Sequence, residues 1–566
     1  MRKKSGYLSE FIPESFLSLR KGYSFSLFRK DLLAGLTVGV VALPLAMAFA
    51  IASGVTPERG LITAVVAGFL ISFLGGSKVQ IGGPTGAFVV IIYDIIQRQG
   101  YEGLVLATLL ASVILLVVAF CRLGSLIKFI PYPLVTGFTT GIALLIFTSQ
   151  IKNFFGLKIA EEPSAFIDKW PAYFSSASTW SVYAVVVSLS TLLIILMLRR
   201  FAPRLPWGIL SIGFVTLVSV FLKLPVDTIA SSFGEIPRSF PLPSLSVFHF
   251  RFEDLSILIP DAITIAFLAG IESLLSAVVA DGMTGGRHRS NTELFGQGIA
   301  NIGSVIFGGI PATGAIARTA TNVKTGACTP VAGMIHAAAV FAIVFFFAPQ
   351  VSLIPLPALA AVLMVVAWNM SEIHHFRHLF NAPKGDIVVL LSAFFLTVFV
   401  DLTVAVEVGM ILAAFLFMKR MSDVSKITSL SPIIEQEMDE SVKIDSDAIQ
   451  KKKIPHSVEV YEINGPFFFG IADSLKVVLD GLERPPKVFI LRMRKVSVID
   501  ATGLHALNDF VLSCEKNNTV VFLSGVKSHV KDSIRKYGLL DHVGEENVFY
   551  QFDSALKRAA ELVKAL

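Results

Sequence analysis

Residues 307–322 read Phe307-Gly-Gly-Ile-Pro-Ala-Thr-Gly-Ala-Ile-Ala-Arg-Thr-Ala-Thr-Asn322, FGGIPATGAIARTATN. Three glycines, a proline, three threonines and an arginine stand together inside a chain that is otherwise largely apolar. A near-copy lies upstream, where Gly75-Gly76 and Pro84-Thr85-Gly86-Ala87 parallel Gly308-Gly309, Pro311 and Thr313-Gly314-Ala315. In both places a short helix-competent segment follows, residues 88–96 and 316–324. What these two stretches do depends on the medium around them.

That medium is lipid. Of 566 residues, 54% are hydrophobic and only 16% charged, and the mean hydropathy is +0.71, far above that of ordinary soluble domains. Apolar runs at 32–51, 104–120, 182–198, 263–279, 334–347 and 387–416 can each cross a hydrocarbon core about 30 Å thick. They must be helical, because lipid offers no partner to an unpaired backbone amide. The first thirty residues carry charges throughout and no cleavage-site pattern, so the first span is expected to act as its own insertion signal. Cys121, Cys328 and Cys514 are far apart and give no disulfide or zinc framework.

Basic residues cluster in alternate connections: Arg2 to Lys4 with Arg29 and Lys30, then Arg122 and Lys128, Arg199 to Arg204, Arg287 and Arg289, Arg377 and Lys384, and Lys419-Arg420. The positive-inside rule puts these and both termini in the cytoplasm, across about fourteen spans. The connections at 152–177 and 223–257 then fall outside. The net charge of +6 is accordingly topology and not nucleic-acid affinity. Asp31-Leu-Leu-Ala-Gly-Leu-Thr and Asp261-Ala-Ile-Thr-Ile-Ala-Phe each open a span, 230 positions apart. With the paired Gly/Pro stretches, this spacing predicts a duplicated unit of seven spans. Seven is odd, so the second copy inserts upside down, as in secondary transporters.

Glycine and proline disfavour a continuous helix, so each short segment is expected to be a half-helix beginning near mid-membrane. Two inverted half-helices aim their N-termini at one point, and free amides with positive dipole ends there make an anion site. Arg318 adds charge in the first turn, and Thr85, Thr313 and Thr319 offer hydroxyls. Close helix packing with a snorkelling Arg318 would use the same residue types; the paired breaks and an intramembrane arginine favour the anion site. Glu272, midway along 261–281, is costly at that depth unless protonated, metal-bound or paired. It reads as a proton carrier; with Ser276 and the Gly314 backbone it would instead hold sodium, and with Arg318 a static ion pair. Phe49, after Pro44, would form an apolar wall or simply pack. His374, His375 and His378 sit in a basic loop without further ligands in sequence and are not read as a metal site.

After Lys419-Arg420 a polar linker with a charge run at 435–453 leads to strand-like 458–463, 488–491 and 519–523. Helix-like 472–481, 502–516 and 529–537 separate them, which describes a small α/β domain. It has no Gly-rich phosphate loop and no paired acid and base, so it is not read as an enzyme. At Val498-Ile-Asp-Ala-Thr-Gly-Leu504 a strand gives way to a helix capped by Asp500 or Thr502, and Thr502 would also accept a phosphate.

The chain resembles the sulfate permease (SulP) family, equivalent to solute carrier family 26, with a C-terminal STAS domain similar to anti-sigma-factor antagonists. The resemblance rests on Asp31-Leu-Leu-Ala-Gly-Leu-Thr-Val-Gly39, Ala42-Leu-Pro-Leu-Ala-Met-Ala-Phe49, Gly83-Pro-Thr-Gly-Ala87, Asp281-Gly-Met-Thr-Gly285, Asn291-Thr-Glu-Leu-Phe-Gly-Gln-Gly298 and Asn464-Gly-Pro-Phe-Phe-Phe-Gly470. It implies a polytopic α-helical protein of about fourteen segments in a 7+7 inverted repeat, divided into core and gate, and a cytoplasmic STAS domain. The divisions are a cytoplasmic segment 1–30, a transporter domain 31–420, a linker 421–454 and the STAS domain 455–566. It further implies a homodimer in the bacterial inner membrane. The anion would lie between Thr85, Gly86, Ala87 and Phe88 on one side and Ala315, Ala317, Arg318 and Thr319 on the other, beside Phe49. Glu272 matches the family's coupling carboxylate; sodium-coupled bicarbonate members have aspartate there, which points to protons over sodium and to no further cofactor. Residues 149–157, 279–288 and 363–372 look most like the bacterial members that carry C4-dicarboxylates, namely succinate, fumarate and aspartate, with bicarbonate and sulfate symport or a passive channel as alternatives. Thr502 matches the serine phosphorylated in anti-sigma antagonists, and the STAS domain would meet a soluble cytoplasmic partner.

Overall fold

The computed structural model describes residues 11–20, 22–125, 131–159, 163, 165–202, 206–238, 241–243, 255–400, 402–424, 426–429, 454–468, 475 and 485–565. The basic residues Arg2 to Lys4, Lys128 and Arg204, part of the 223–257 connection, the 435–453 charge run and, apart from Leu475, the helix expected at 472–481 lie outside the described residues. Two compact units result, Met1–Ala413 and Ala414–Leu566.

The first unit opens with the short α1 (Glu14–Arg20), then α2 (Phe25–Ala52), α3 (Pro57–Leu74) and α4 (Ala87–Phe120). It continues with α5 (Tyr132–Ser149), the short α6 (Ile151–Phe155) and α7 (Phe166–Ser175), α8 (Val182–Phe201), α9 (Trp207–Phe221) and the one-turn α10 (Ile229–Phe233). A second series follows: α11 (Leu255–Thr284), α12 (Ser290–Ile306), α13 (Ile316–Lys324), α14 (Val331–Ser352), α15 (Leu356–Met370), the short α16 (Ile373–His378), α17 (Lys384–Phe399) and α18 (Leu402–Val424). Within α4, Gly100 takes a φ of 68° and a ψ of −173°, open to glycine and costly for other residues. It divides α4 into a half-helix and a full span. With α4 counted twice and the short α1, α6, α7, α10 and α16 set aside, the order is seven segments plus seven. Eight helices among the described residues are long and apolar enough to cross a membrane unaided.

The segments sort into two groups. α2, α3, α4 and α11 to α14 pack on one another, as do α5, α6, α8, α9, α15 and α17. Glycine makes the closest approaches: a Cβ on Gly35 of α2 would collide with the Ala332 carbonyl, and one on Gly137 of α5 with that of Leu390, the small-residue packing that lipid-embedded helices use. Val186, Leu189 and Leu193 on α8 and Phe214 and Leu217 on α9 are exposed, as suits a lipid-facing surface.

The two Gly/Pro stretches meet. β1 (Gly82–Gly83) pairs antiparallel with β2 (Thr313–Gly314), Gly82 opposite Gly314 and Gly83 opposite Thr313. The half-helices follow directly, α13 and the first part of α4. The repeats also clasp each other at their far ends. Asp31, fully buried in the second turn of α2, accepts from the Cys328 amide at 2.7 Å, the Thr329 amide at 3.1 Å and the Thr329 hydroxyl at 2.6 Å. Asp261 of α11 accepts from Arg98 Nη2 at 3.0 Å and Gln99 Nε2 at 3.1 Å, at the end of the other half-helix. Donors and acceptors are related by the same 230-residue interval.

The second unit holds a sheet in the order β3-β4-β5-β6-β7, formed by β3 (Lys426–Ser429), β4 (Val458–Asn464), β5 (Val488–Arg492), β6 (Val520–Ser524) and β7 (Val548–Phe549). β3 runs antiparallel to β4 and the rest are parallel. Helices Ala501–Lys516, Ser528–Lys536 and Phe552–Ala565 accompany it. β3 arises from residues read as linker; four residues at a sheet edge carry no alternation to detect. Asp500, not Thr502, caps the first of these helices, accepting from the Gly503 amide at 2.7 Å, and Thr502 stands exposed in its first turn. Burial pushes the Cys514 thiol up to about 12, the mark of an inert core cysteine.

Removing the Asp31 carboxylate strands two buried amides and a hydroxyl. Asp31→Ala is expected to destabilise the first unit by about 1–3 kcal/mol, seen as a lower melting temperature of detergent-purified full-length protein, with Asp31→Asn falling in between.

A candidate anion site at the crossing of two half-helices

Each half-helix begins without a side-chain cap, at Gly86 for α4 and Ala315 for α13. The first amides of a helix have no intrahelical acceptor, so both ends present donors and a positive dipole end. Ile316 and Ala317, in the first turn of α13, are exposed, and Thr85 is half-buried. On the α4 side, a Cβ on Gly86 would lie 3.3 Å from Phe49 Cε1, 3.3 Å from Met370 Sδ and 3.4 Å from Ile146 Cδ1. The start of α4 therefore faces an apolar wall from α2, α5 and α15, with Ala87 and Phe88 buried behind it.

The charged groups converge here. Thr85 Oγ1 donates to Glu272 Oε2 at 2.9 Å, which ties the middle of α11 to the first half-helix. Arg318 is 3% exposed; its Nη2 donates to the Pro84 carbonyl, and its Nη1 has no hydrogen-bond partner among the described residues. Glu272 holds Thr85, and electrostatic attraction to Arg318 acts on it as well. A buried guanidinium arm without a hydrogen-bond partner among the described residues, beside two uncapped helix starts, has the chemistry to receive an anion.

Other expected site residues serve the frame. Thr319 Oγ1 accepts from the Ile81 amide at 3.0 Å and from Ser276 Oγ at 3.0 Å. The Ala315 amide donates to the Ile81 carbonyl at 2.8 Å, Gly314 pairs with Gly82, and Thr313 donates to the Ala269 carbonyl at 2.9 Å. The structure thus brings Phe49, Thr85, Gly86, Glu272, Arg318 and Ala317 to the ends of the half-helices, while Ser276, Gly314, Ala315 and Thr319 lock those ends in place.

A buried polar stripe completes the frame and was not anticipated. Glu293 Oε2 accepts from the Gly76 amide at 2.8 Å and the Ser77 amide at 3.1 Å. Ser273 Oγ lies 3.2 Å from Glu293 Oε1 and 3.2 Å from Gln297 Oε1, and accepts from Gln80 Nε2 at 2.8 Å. Gln297 donates to the Ala312 carbonyl, and Asn301 both donates to that carbonyl at 3.0 Å and accepts from the Ala312 amide at 2.7 Å. Glu293, Gln297 and Asn301 recur every four residues, one face of a helix; the signal was present in the sequence.

Gly83 has a φ of 145°, and a Cβ there would sit 2.8 Å from Arg318 Nη1. Gly83→Ala is therefore expected to displace the guanidinium from Pro84, abolishing anion uptake into proteoliposomes while costing about 1–3 kcal/mol of stability; uptake and thermal melting, measured together, separate the two effects.

Comparison with known proteins agrees with this architecture. The model of the Sulfate permease family matches residues 28–393, and the STAS domain model matches residues 449–555. YvdB of Bacillus subtilis, an inferred sulfate transporter by its name, is 42% identical over 94% of this chain and 98% of its own. The bicarbonate transporter BicA of a Picosynechococcus species is 28% identical over 94% and 95%. Among solved structures, murine solute carrier 26 family member A9, an anion transporter in its inward-facing state, superposes with a TM-score of 0.87 over 99% of this chain and 96% of its own at 19% identity, which speaks to the fold. The transmembrane domain of a cyanobacterial BicA gives 0.61 at 27% identity, over 69% of this chain and 98% of its own. With a family model over most of the chain, a relative of this identity along nearly its whole length, and two half-helices crossing at a buried arginine, the chain belongs to the sulfate permease family of membrane anion transporters, which are not enzymes, and carries a STAS domain.

Proposed function

We propose that the protein is a secondary active transporter that takes up a small anion together with protons. The observation that carries this reading is Arg318 Nη1, buried without a hydrogen-bond partner among the described residues beside two uncapped half-helix starts. Glu272 supplies the proton site: a carboxylate in the middle of a membrane helix, held by Thr85 on the segment that opens one half-helix. Protonation of Glu272 removes its attraction for Arg318 and frees the guanidinium for the anion. Anion and proton thereby favour each other at one place, which is symport in thermodynamic terms. The denser packing within each of the two helix groups than between them supports an elevator-like movement, with the group carrying both half-helices as the moving body.

C4-dicarboxylates, namely succinate, fumarate and aspartate, are the proposed substrates. Support comes from the likeness of 149–157, 279–288 and 363–372 to dicarboxylate-carrying members and from the apolar wall of Phe49, Ile146 and Met370, which suits a carbon skeleton between charged ends. A second reading, sulfate or bicarbonate, draws on the names of the relatives. We place the protein in the bacterial inner membrane as a homodimer with both termini cytoplasmic, in keeping with the positive-inside pattern. Exposed Thr502 at a helix start is the proposed regulatory position of the STAS domain, which would meet a soluble partner.

Proteoliposome uptake of labelled succinate, sulfate and bicarbonate under imposed proton or sodium gradients tests these assignments. Succinate accumulation driven by an inward proton gradient and indifferent to sodium is expected; uptake that ignores both gradients would sink symport. Glu272→Gln should lose proton-driven accumulation while keeping anion exchange. Arg318→Ala should weaken apparent anion affinity by about tenfold or more, the loss of a charge-assisted hydrogen bond; an unchanged KM would remove the arginine from the site.

A further inference from the structure

His336 on α14 is fully buried, and neither of its ring nitrogens has a hydrogen-bond partner among the described residues. Its Cε1 and Nδ1 edge faces Gly68 of α3, where a Cβ would lie 3.6 Å from both atoms and 3.2 Å from the Gly82 carbonyl oxygen. One residue further along β1, a Cβ on Gly83 would lie 2.8 Å from Arg318 Nη1, which also lacks a hydrogen-bond partner among the described residues. The imidazole and the guanidinium lie within electrostatic reach of each other. Two orphaned polar groups thus flank the same two residues of extended chain.

Leaving such groups unsatisfied costs about 1–3 kcal/mol each, and protein interiors answer that cost with ordered water wherever the surroundings are polar. The two are complementary. Nη1 can only donate, and an imidazole accepts through one nitrogen and donates through the other without adding a second positive charge. Gly68 brings no side chain of its own against the ring edge.

We propose that His336 is a positioning residue for the anion site, holding the free arm of Arg318 through a bridging water and so fixing where the guanidinium meets the anion. The proposal rests on Arg318 being the anion ligand. It assigns His336 no contact with the anion and no part in the proton movement given to Glu272.

Uptake kinetics of full-length protein in proteoliposomes test it, with whichever of succinate, sulfate or bicarbonate the unaltered protein takes up. His336→Leu is expected to raise KM about fivefold, the worth of one hydrogen bond, with little change in maximal rate. His336→Gln, which keeps an acceptor and a donor, should restore most of the affinity, and in an Arg318→Lys background His336→Leu should add nothing. An unchanged KM in His336→Leu, or a rise of the same size in the Arg318→Lys background, would overturn the proposal. Nitrogen-15 NMR of histidine-labelled protein in nanodiscs reads the site without transport, the His336 signals being those missing from His336→Gln. Magnetisation transfer from water to a His336 ring nitrogen is expected; its absence would overturn the proposal even if no tested anion is carried.

Discussion

Two chain breaks in the middle of a membrane bundle must satisfy each other. Lipid supplies no hydrogen bonds, and each backbone group left unpaired there costs several kcal/mol. Here the breaks are paired face to face through β1 and β2 and closed from the sides: Asn322 donates to the Val79 carbonyl at 2.8 Å, Thr319 takes the Ile81 amide, and Gln297 and Asn301 share the Ala312 carbonyl. Once the two extended pieces cross, the helices that follow them have to start at one place and run apart. The anion site, the polar stripe of α12 and the burial of Arg318 all derive from that crossing.

The same constraint separates frame from function. Most groups that close the crossing are engaged, with Gln80 Oε1 and Asn322 Oδ1 left without a hydrogen-bond partner among the described residues, and their positions cannot shift without unpairing backbone. What stays available is small: the uncapped first turns, the Thr85–Glu272 pair, and one arm of Arg318. Charge is nearly balanced across these groups, with one carboxylate against one guanidinium, so a change at either is felt at the other through a medium of low dielectric.

Much of this could be read from residue types and spacing. The duplicated Gly/Pro stretches gave both half-helices, and in α13 to the residue, because glycine and proline break helices for local reasons. Glu272 and Arg318 stood out because a charge within an apolar span is costly. Thr319 and Ser276 were harder, since a hydroxyl looks the same whether it faces a ligand or a neighbouring amide; only the fold shows that Thr319 takes the Ile81 amide and the Ser276 hydroxyl. His336 carried no signal at all, because a single histidine on an apolar helix is ordinary until its neighbours are known. Glu293, Gln297 and Asn301 were legible in their spacing, but the motif that holds them was read for its resemblance and not for its periodicity. β3 escaped because its pairing with β4 lies almost forty residues away in sequence and leaves no local trace.

The reciprocal clasp of Asp31 and Asp261 bears on how the chain is made. At about 5–20 residues per second, Arg98 has been waiting for some time when Asp261 is synthesised, 163 residues later. Asp31 has the opposite experience: its amide partner at Cys328 is 297 residues away, roughly 15–60 s of synthesis at that rate. Until then, of its partners among the described residues, Asp31 has the nearby Tyr23 hydroxyl, 3.0 Å from the carboxylate in the finished protein. A nascent chain halted short of residue 328 would lack the two amides and the hydroxyl that Asp31 engages in the finished protein.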